Sequence, residues 1–349
     1  MKGKFKDFKK TWITVIFIFF ILLPKTYLLL KVDYCLWHEK DCDWYYNSIN
    51  NVTPEKGLFY FLIRLLRLPV MLIGYEATIK IFLLVTSFIF LFGIYLFLKD
   101  ELDFELILFA ILSANFILGM TRIWIELYRN MFLMMLVPYL FYYIKKERPV
   151  SSGLILGTIL ISHHTGIIFI PLVVLYYIIL KEKSSLRGKK WKDFLIIFFM
   201  VFLILYTYYS TIYPIEKDYS GDVRFLDEFL TTVGNQYLEY NIDRLFYFNS
   251  IYLITAFLAL CFSDRKNKTV LLTGIFFILC LSTLYFEAGH RLMYNVSFPS
   301  VILTSFYLQK RDKGTRKFFL MLFALFLAEC IAFYIVRFPT AIITYPPLL

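Results

Sequence analysis

Two carboxylates separated by a single residue, Asp41 and Asp43, are the most suggestive chemical feature of this sequence. Paired acids of this kind can supply a general base, or they can hold a divalent cation. The aromatic run 44–46 follows directly and offers flat surfaces on which a ligand ring can stack. An acidic, solvated loop accounts for the same residues without a ligand, so both interpretations stay open.

A second group of polar residues interrupts an apolar stretch at 115–130. Asn115, Arg122 and Arg129 are spaced seven apart, and Glu126 lies between the two arginines. On one continuous helix all four would share a face. Two guanidinium groups there can bind a phosphate through paired hydrogen bonds, with Asn115 and Glu126 in support. A Glu–Arg pair that neutralises itself is the alternative interpretation.

Histidines and one more basic group complete the set of candidate residues. The adjacent His163 and His164 point about 100° apart on a helix, so one of them rather than both would hydrogen-bond a phosphate or a sugar. Near the C-terminal part of the chain, Glu287 precedes His290 and Arg291, a group that can also bind phosphate. No cysteine and histidine spacing typical of a zinc site accompanies them. A helix break and an interfacial ion pair are the corresponding alternatives.

The elements that must position these residues are apolar helices. The chain has 349 residues, of which 60% are hydrophobic, and its mean hydropathy of +0.67 excludes an ordinary soluble domain. About eleven apolar stretches (10–12) approach the ~20 residues that cross a bilayer, where backbone groups can be satisfied only within helices. The clearest are 12–30, 77–98, 193–213, 245–262, 269–286, 291–309 and 318–336. The sequence therefore predicts an all-α integral membrane protein.

The basic residues predict the orientation of these spans. When the spans are threaded alternately, 23 of the 37 Lys and Arg fall in six short segments on one side. These segments are 1–11, 99–103, 145–150, 181–192, 263–268 and 310–317. The positive-inside rule makes that side cytoplasmic, together with the N-terminus, and explains the net charge of +11 without a nucleic-acid partner. We therefore expect a multi-pass protein of the cell membrane.

The same threading puts every candidate group on the outer face. We expect one membrane domain over 1–349, with an outer segment 31–76 and a later outer loop at 214–244. The half of 31–76 that contains Arg64 and Arg67 suits an amphipathic helix lying in the membrane interface. Cys35 and Cys42 share this segment and are able to form a disulfide outside the cell.

The stretch "YRNMFLMMLVPYLFYYIKKERPVSSGLILGTILISHHTG", preceded by an outer loop that carries aspartates, resembles multi-span glycosyltransferases of the GT-C type. These enzymes use polyprenyl-phosphate sugars. The resemblance implies a sugar transfer at the outer face, from a lipid-linked donor to a glycan, lipid or protein acceptor. Asp41 or Asp43 would then be the base or a ligand of a divalent cation. Arg122, Arg129 and Arg291 would bind the donor phosphate.

The same stretch, together with "GHRLMYNVSFP", also resembles polysaccharide polymerases of the EpsG/Wzy type. In that family arginines and a histidine face the outside, and the aspartates would be dispensable. "LYRNM" lacks the glutamine that usually follows the arginine of these polymerases. A transporter or flippase is a third alternative, although such proteins usually carry ionisable residues near the membrane midplane. The apolar stretches here carry few charges, at Lys25, Lys80 and Glu329.

Overall fold

The computed structural model describes residues 2–31, 59–117, 120, 128–162, 164–182, 187–211, 235–262, 267–283 and 295–332. Within these ranges every regular element is helical, so the expectation of an all-α protein is confirmed. The α-helices there are α1 Lys2–Lys31, α2 Phe59–Ile73, α3 Tyr75–Leu98, α4 Phe104–Phe116, α5 Tyr128–Lys145, α6 Pro149–Ser162, α7 Phe169–Glu182, α8 Arg187–Thr211, α9 Asn235–Phe262, α10 Lys268–Ser282, α11 Ser297–Gln309 and α12 Lys313–Ala332.

One helix among the described residues, α3, is long and apolar enough to cross a membrane by length and composition. Shorter apolar segments of 10–17 residues accompany it in α4, α5, α6, α7, α9 and α10. The helix α2, predicted as an interfacial helix, is present and ends just before Gly74. Gly74 has φ 83°, a left-handed conformation that costs glycine little, and it separates α2 from α3.

The helix α11 lies at the centre of the bundle. Every residue from Ser297 to Leu308 is buried, so α11 is covered on all sides. Its neighbours are α4, α9, α10 and α12. The helix α3 packs against α1, α4 and α5. Helices α6 and α8 pair closely at Gly153 and Gly157, which face Ile197, Met200 and Ile204. Small residues spaced by four let two helix backbones approach, as is common between helices in membranes.

The surface of the bundle is more apolar than that of a typical soluble protein, and its largely apolar interior also holds polar side chains. Buried positions include Ser113, Asn249, Thr255, Ser297, Ser300 and Thr304. Large apolar side chains more than half exposed include Phe19, Phe20 and Leu23 on α1, Phe199, Phe202 and Tyr206 on α8, and Met321 and Leu325 on α12. Soluble proteins rarely expose contiguous apolar patches of this kind, which are typical of surfaces that contact a membrane or another protein.

Charged turns meet at one end of the bundle, which we call the charged end. Lys145 pairs with Glu101 at 3.1 Å, Lys268 pairs with Glu147 at 2.8 Å, and Arg316 pairs with Asp103 at 2.8 Å. The first turns of α1 reach the same end, where Thr11 hydrogen-bonds Tyr95 at 2.9 Å. The described residues of five segments predicted to lie on the cytoplasmic side thus converge, namely 2–11, 99–103, 145–150, 267–268 and 310–317.

Two details of the sequence interpretation are corrected. The helix α9 begins at Asn235, so residues 235–244 of the predicted loop 214–244 are helical. The helix α4 ends at Phe116, and Ile117 has ψ 132°, which takes the backbone out of the helix. Because α5 begins only at Tyr128, Asn115 and Arg129 belong to different helices and do not share the face of one continuous helix.

Candidate functional site

The interior of the bundle holds a group of polar side chains contributed by α4, α9 and the start of α11. Ser297 donates a hydrogen bond of 2.6 Å to Oδ1 of Asn249, and Nδ2 of Asn249 donates to the carbonyl of Leu245 at 3.2 Å. Tyr252 donates to Ser113 at 2.8 Å. All these side chains are buried, so their hydrogen bonds hold the three helices in register without contact with solvent.

Two buried amides in this region have polar atoms that no described residue meets. Asn295 is 0% exposed, and within the described part of the chain both Nδ2 and Oδ1 lack a hydrogen-bond partner. Asn115 is 1% exposed and donates from Nδ2 to the carbonyl of Ile21 at 2.9 Å, yet its Oδ1 is likewise unmet. Leaving a buried polar atom without a partner costs about 1–3 kcal/mol, so a partner beyond the described residues, such as a ligand or water, is favoured there.

These two amides lie at similar depth in the bundle. The backbone N–H of Asp103, just before α4, donates to Gln309 at the end of α11 at 3.2 Å. Since α4 and α11 pack side by side from that point, a rise of 1.5 Å per residue puts Asn115 about 18 Å and Asn295 about 21 Å from the charged end. Both amides lie toward the end of the bundle opposite the charged turns.

The charged end is tied together through Glu101. Its carboxylate accepts hydrogen bonds from Asn267 at 2.8 Å and from Thr269 at 2.7 Å, in addition to the pair with Lys145. Asn267 also caps α10, because its Oδ1 accepts from the backbone N–H of Val270 at 3.0 Å. One carboxylate therefore joins the turns α3–α4, α5–α6 and the start of α10.

Nearby charges are balanced in the same way. Burial lowers the pKa of Lys145 below that of a free lysine, and the charge of Glu101 only partly opposes this. The hydrogen bond to Asp100 raises the pKa of Lys146, with burial working against it. Lys145, Lys146 and Lys268 are thus used in ion pairs between turns.

Most candidate residues taken from the sequence lie outside the described residues. These are Asp41, Asp43, Arg122, Glu126, His163, Glu287, His290 and Arg291. Arg129 is in the first turn of α5, and His164 opens a short 3-10 helix, His164–Ile168, between α6 and α7. Both backbone positions are at the ends of their helices away from the charged end. Asn115 is the one candidate whose side-chain contacts are described, and it bonds α1.

Asn249, Asn295 and Ser297 were missed by the sequence interpretation. The available signal was a single Asn within each of the apolar stretches 245–262 and 291–309. Polar residues within a span are rare and generally face the interior of a helix bundle. That rule could have identified both asparagines, but not their relation to Ser297.

Among the described residues there is no group of three His, Cys, Asp or Glu side chains that could hold a metal ion. The pair Asp41 and Asp43, for which a divalent cation was considered, lies outside the described ranges. Neither the family models, the curated proteins nor the solved structures contain a match to this chain.

Proposed function

We propose that this chain is an integral membrane glycosyltransferase that moves a sugar from a polyprenyl-phosphate-linked donor to an acceptor at the outer face of the cell membrane. The observation that carries the proposal is the asymmetry of the bundle. Ion pairs join the turns at one end, whereas buried amides with unmet polar atoms lie toward the other. A site that binds a polar ligand is therefore favoured at the face opposite the charged end.

The apolar surface of the bundle supports a multi-pass arrangement of about eleven spans in a GT-C-like fold. Apolar side chains on α1, α8 and α12 face outward, and hydroxyl and amide groups lie between helices. Close packing at Gly153 and Gly157 is of the kind that associates helices in lipid. The converging turns would form the cytoplasmic side, because they carry most of the basic residues.

The asymmetry also favours an enzyme over a transporter or flippase. Alternating access requires that turns on both sides separate in some state. The turns at the charged end are held by several ion pairs, and Glu101 alone accepts from three residues. The EpsG/Wzy-type polymerase remains the second candidate enzyme, since it would use the same outer face.

The proposed chemistry divides between two kinds of residue. Arg122, Arg129 and Arg291, with His163, His164 and His290, would stabilise the negative charge of the departing lipid phosphate. Asp41 or Asp43 would take the proton from the acceptor hydroxyl, directly or as a ligand of a divalent cation. The partners implied are a lipid-linked sugar donor, a glycan, lipid or protein acceptor, and membrane lipids.

The test compares Asp41→Asn and Asp43→Asn in a strain that lacks the native copy of the chain. Loss of a transferase should cause its lipid-linked donor to accumulate, and the wild-type chain should clear it. We expect the Asn variant of the catalytic acid to leave the donor uncleared while still binding it, because the amide keeps size but lacks basicity.

The matched control is Asp100→Asn, the same substitution at the charged end, which should clear the donor normally. Full activity of both single variants and of the double variant would reject the aspartate mechanism and favour the polymerase. If deletion leaves every lipid-linked glycan at its normal level, the transferase proposal is wrong.

A further inference from the structure

We infer that Asn295 and Asn115 bind hydroxyl groups of the sugar carried by the donor, an inference that rests on the proposed function and specifies which part of the ligand this region meets. The starting observation is that three buried polar atoms have no hydrogen-bond partner among the described residues: Nδ2 and Oδ1 of Asn295, and Oδ1 of Asn115. Both side chains are almost completely buried. The position of these atoms along the bundle is toward the proposed outer face.

The kind of unmet atom identifies the ligand chemistry. Each Oδ1 needs a hydrogen-bond donor, and Nδ2 needs an acceptor. An ionised phosphate has only acceptors, so it could satisfy Nδ2 and neither oxygen. Sugar hydroxyls both donate and accept, so they could satisfy both kinds of atom.

A neighbouring asparagine provides a comparison for the amide of Asn295. Ser297, two residues further along the chain, is bound to Asn249, whose amide is satisfied by Ser297 and by the carbonyl of Leu245. The two asparagines are equally buried, at 0% exposure. They differ in that the amide of Asn249 has partners among the described residues and the amide of Asn295 has none there. This pair provides a matched comparison.

The first measurement is the thermal stability of the purified full chain in detergent, without ligand. Asn249→Ala removes two hydrogen bonds and leaves the Ser297 hydroxyl without its acceptor, so its melting temperature should fall. Asn295→Ala makes the same reduction in volume but removes no hydrogen bond, so its melting temperature should stay well above that of Asn249→Ala. Equal losses in the two variants would contradict the inference that the Asn295 amide is free. Asn295→Val is the alternative if the alanine variant does not fold.

The second measurement is the shift in melting temperature caused by polyprenyl phosphate alone and by the same carrier bearing glucose, galactose, mannose or N-acetylglucosamine. Ligand that binds the folded state raises its stability in proportion to affinity, so the shifts give relative affinities. We expect the wild-type chain to bind at least one sugar-bearing carrier more tightly than the bare carrier. Asn295→Ala should bind that compound about 30-fold more weakly, equivalent to two lost hydrogen bonds, and should bind polyprenyl phosphate as the wild type does.

The outcomes separate this inference from the proposed function. If none of these compounds stabilises the wild-type chain, the lipid-linked donor itself is wrong and both proposals fail. If Asn295→Ala keeps the wild-type preference for the sugar-bearing carrier, ordered water meets the amide and only the present inference fails. If the variant loses binding of polyprenyl phosphate as well, Asn295 contacts the phosphate and the assignment to sugar is overturned.

Discussion

Lys145 and Glu101 form an ion pair of 3.1 Å across two turns of the charged end, where the Lys145 side chain is only 8% exposed. The ammonium group also lies over the ring of Phe97, 5.0 Å from its centroid. A lysine so far removed from water depends on its partner for charge compensation. The same carboxylate binds Asn267 and Thr269, so this pair determines how three turns fit together.

We therefore predict that Glu101→Ala destabilises the fold by about 3 kcal/mol, because it leaves a buried, uncompensated ammonium group. The measurement is the free energy of unfolding, or the melting temperature, of purified protein in one detergent. Asp100→Asn is the control. The Asp100–Lys146 pair is 2.7 Å long but its side chains are 43% and 42% exposed, and exposed pairs contribute about 1 kcal/mol or less. A similar loss of stability in both variants would mean that Glu101 does not join the turns of the charged end more strongly than Asp100 does.

The pair formed by Asp100 has a defined pH dependence. Burial acts to raise the pKa of Asp100, but the hydrogen bond and charge of Lys146 outweigh it and the pKa is lowered overall. A lowered folded-state pKa gives stability that is present above the unfolded pKa of about 4 and is lost as pH falls through the folded pKa. The small difference in melting temperature between wild type and Asp100→Asn should thus be constant from pH 5 to pH 7 and should disappear on acidification. A difference that grows on acidification would contradict this pairing.

The close approach of α6 and α8 provides a third prediction. A Cβ atom at Gly153 would lie 2.6 Å from Cβ of Met200 and 2.8 Å from the carbonyl oxygen of Ile197, so the helices would have to separate. Gly153→Ala should lower the melting temperature markedly, by the equivalent of about 1–3 kcal/mol. Gly274→Ala is the control, because its Cβ would meet only the end of the Leu260 side chain, at 2.7 Å. That contact can be relieved by a side-chain rotation, and alanine favours the helix. If Gly274→Ala lowers the melting temperature more than Gly153→Ala does, close contact with a neighbouring backbone does not explain why glycine occupies these positions.

The clearest predicted apolar stretches each overlap a helix, although α1 and α9 begin ten residues before the predicted spans. The helix break considered at the adjacent histidines is present as the 3-10 helix His164–Ile168, between α6 and α7. Apolar length is a local signal. Gly74 lies at the boundary between α2 and α3, whereas Gly153, Gly157 and Gly274 lie within helices, so a glycine alone does not predict a boundary. The start of α9 at Asn235 was missed because its first ten residues, which are largely polar, look like a loop when only hydropathy is considered.

Contacts between side chains that are distant in the sequence could not be predicted in this way. Ser297 and Asn249 are 48 residues apart, and Glu101 and Thr269 are 168 apart. Such pairs depend on which helices are neighbours, which hydropathy does not specify. Hydropathy also does not predict that Asn115 and Arg129 lie on different helices. The backbone leaves the helix at Ile117, and Asn115, two residues earlier, bonds α1. An i, i+7 spacing predicts a shared face only while the helix continues.

The orientation of the chain is tested by single cysteines in a background without native cysteines. Cysteines at 8, 148, 187 and 314 should be protected from a membrane-impermeant thiol reagent added to intact cells. Cysteines at 48 and 222 should react, because the alternate threading puts 31–76 and 214–244 outside. Permeabilised cells are the control and should expose the protected positions. Reaction at 187 in intact cells would overturn the orientation, since 181–192 carries the largest number of basic residues of the six segments.

Arg129, in the first turn of α5, provides the sharpest test of phosphate recognition at the proposed outer face. Lysine keeps the positive charge but cannot form the paired hydrogen bonds of a guanidinium group, so Arg129→Lys should be nearly as damaging as Arg129→Ala. Loss of such a contact in the transition state is worth about 2–4 kcal/mol, or roughly 30- to 1000-fold in rate, measured as clearance of the accumulated lipid-linked donor. Arg148→Lys, at an exposed position of the charged end, is the matched control and should keep full activity. A stable Arg129→Lys protein with the wild-type rate would instead make Arg129 a structural residue, paired with Glu126 as the sequence alternative proposes.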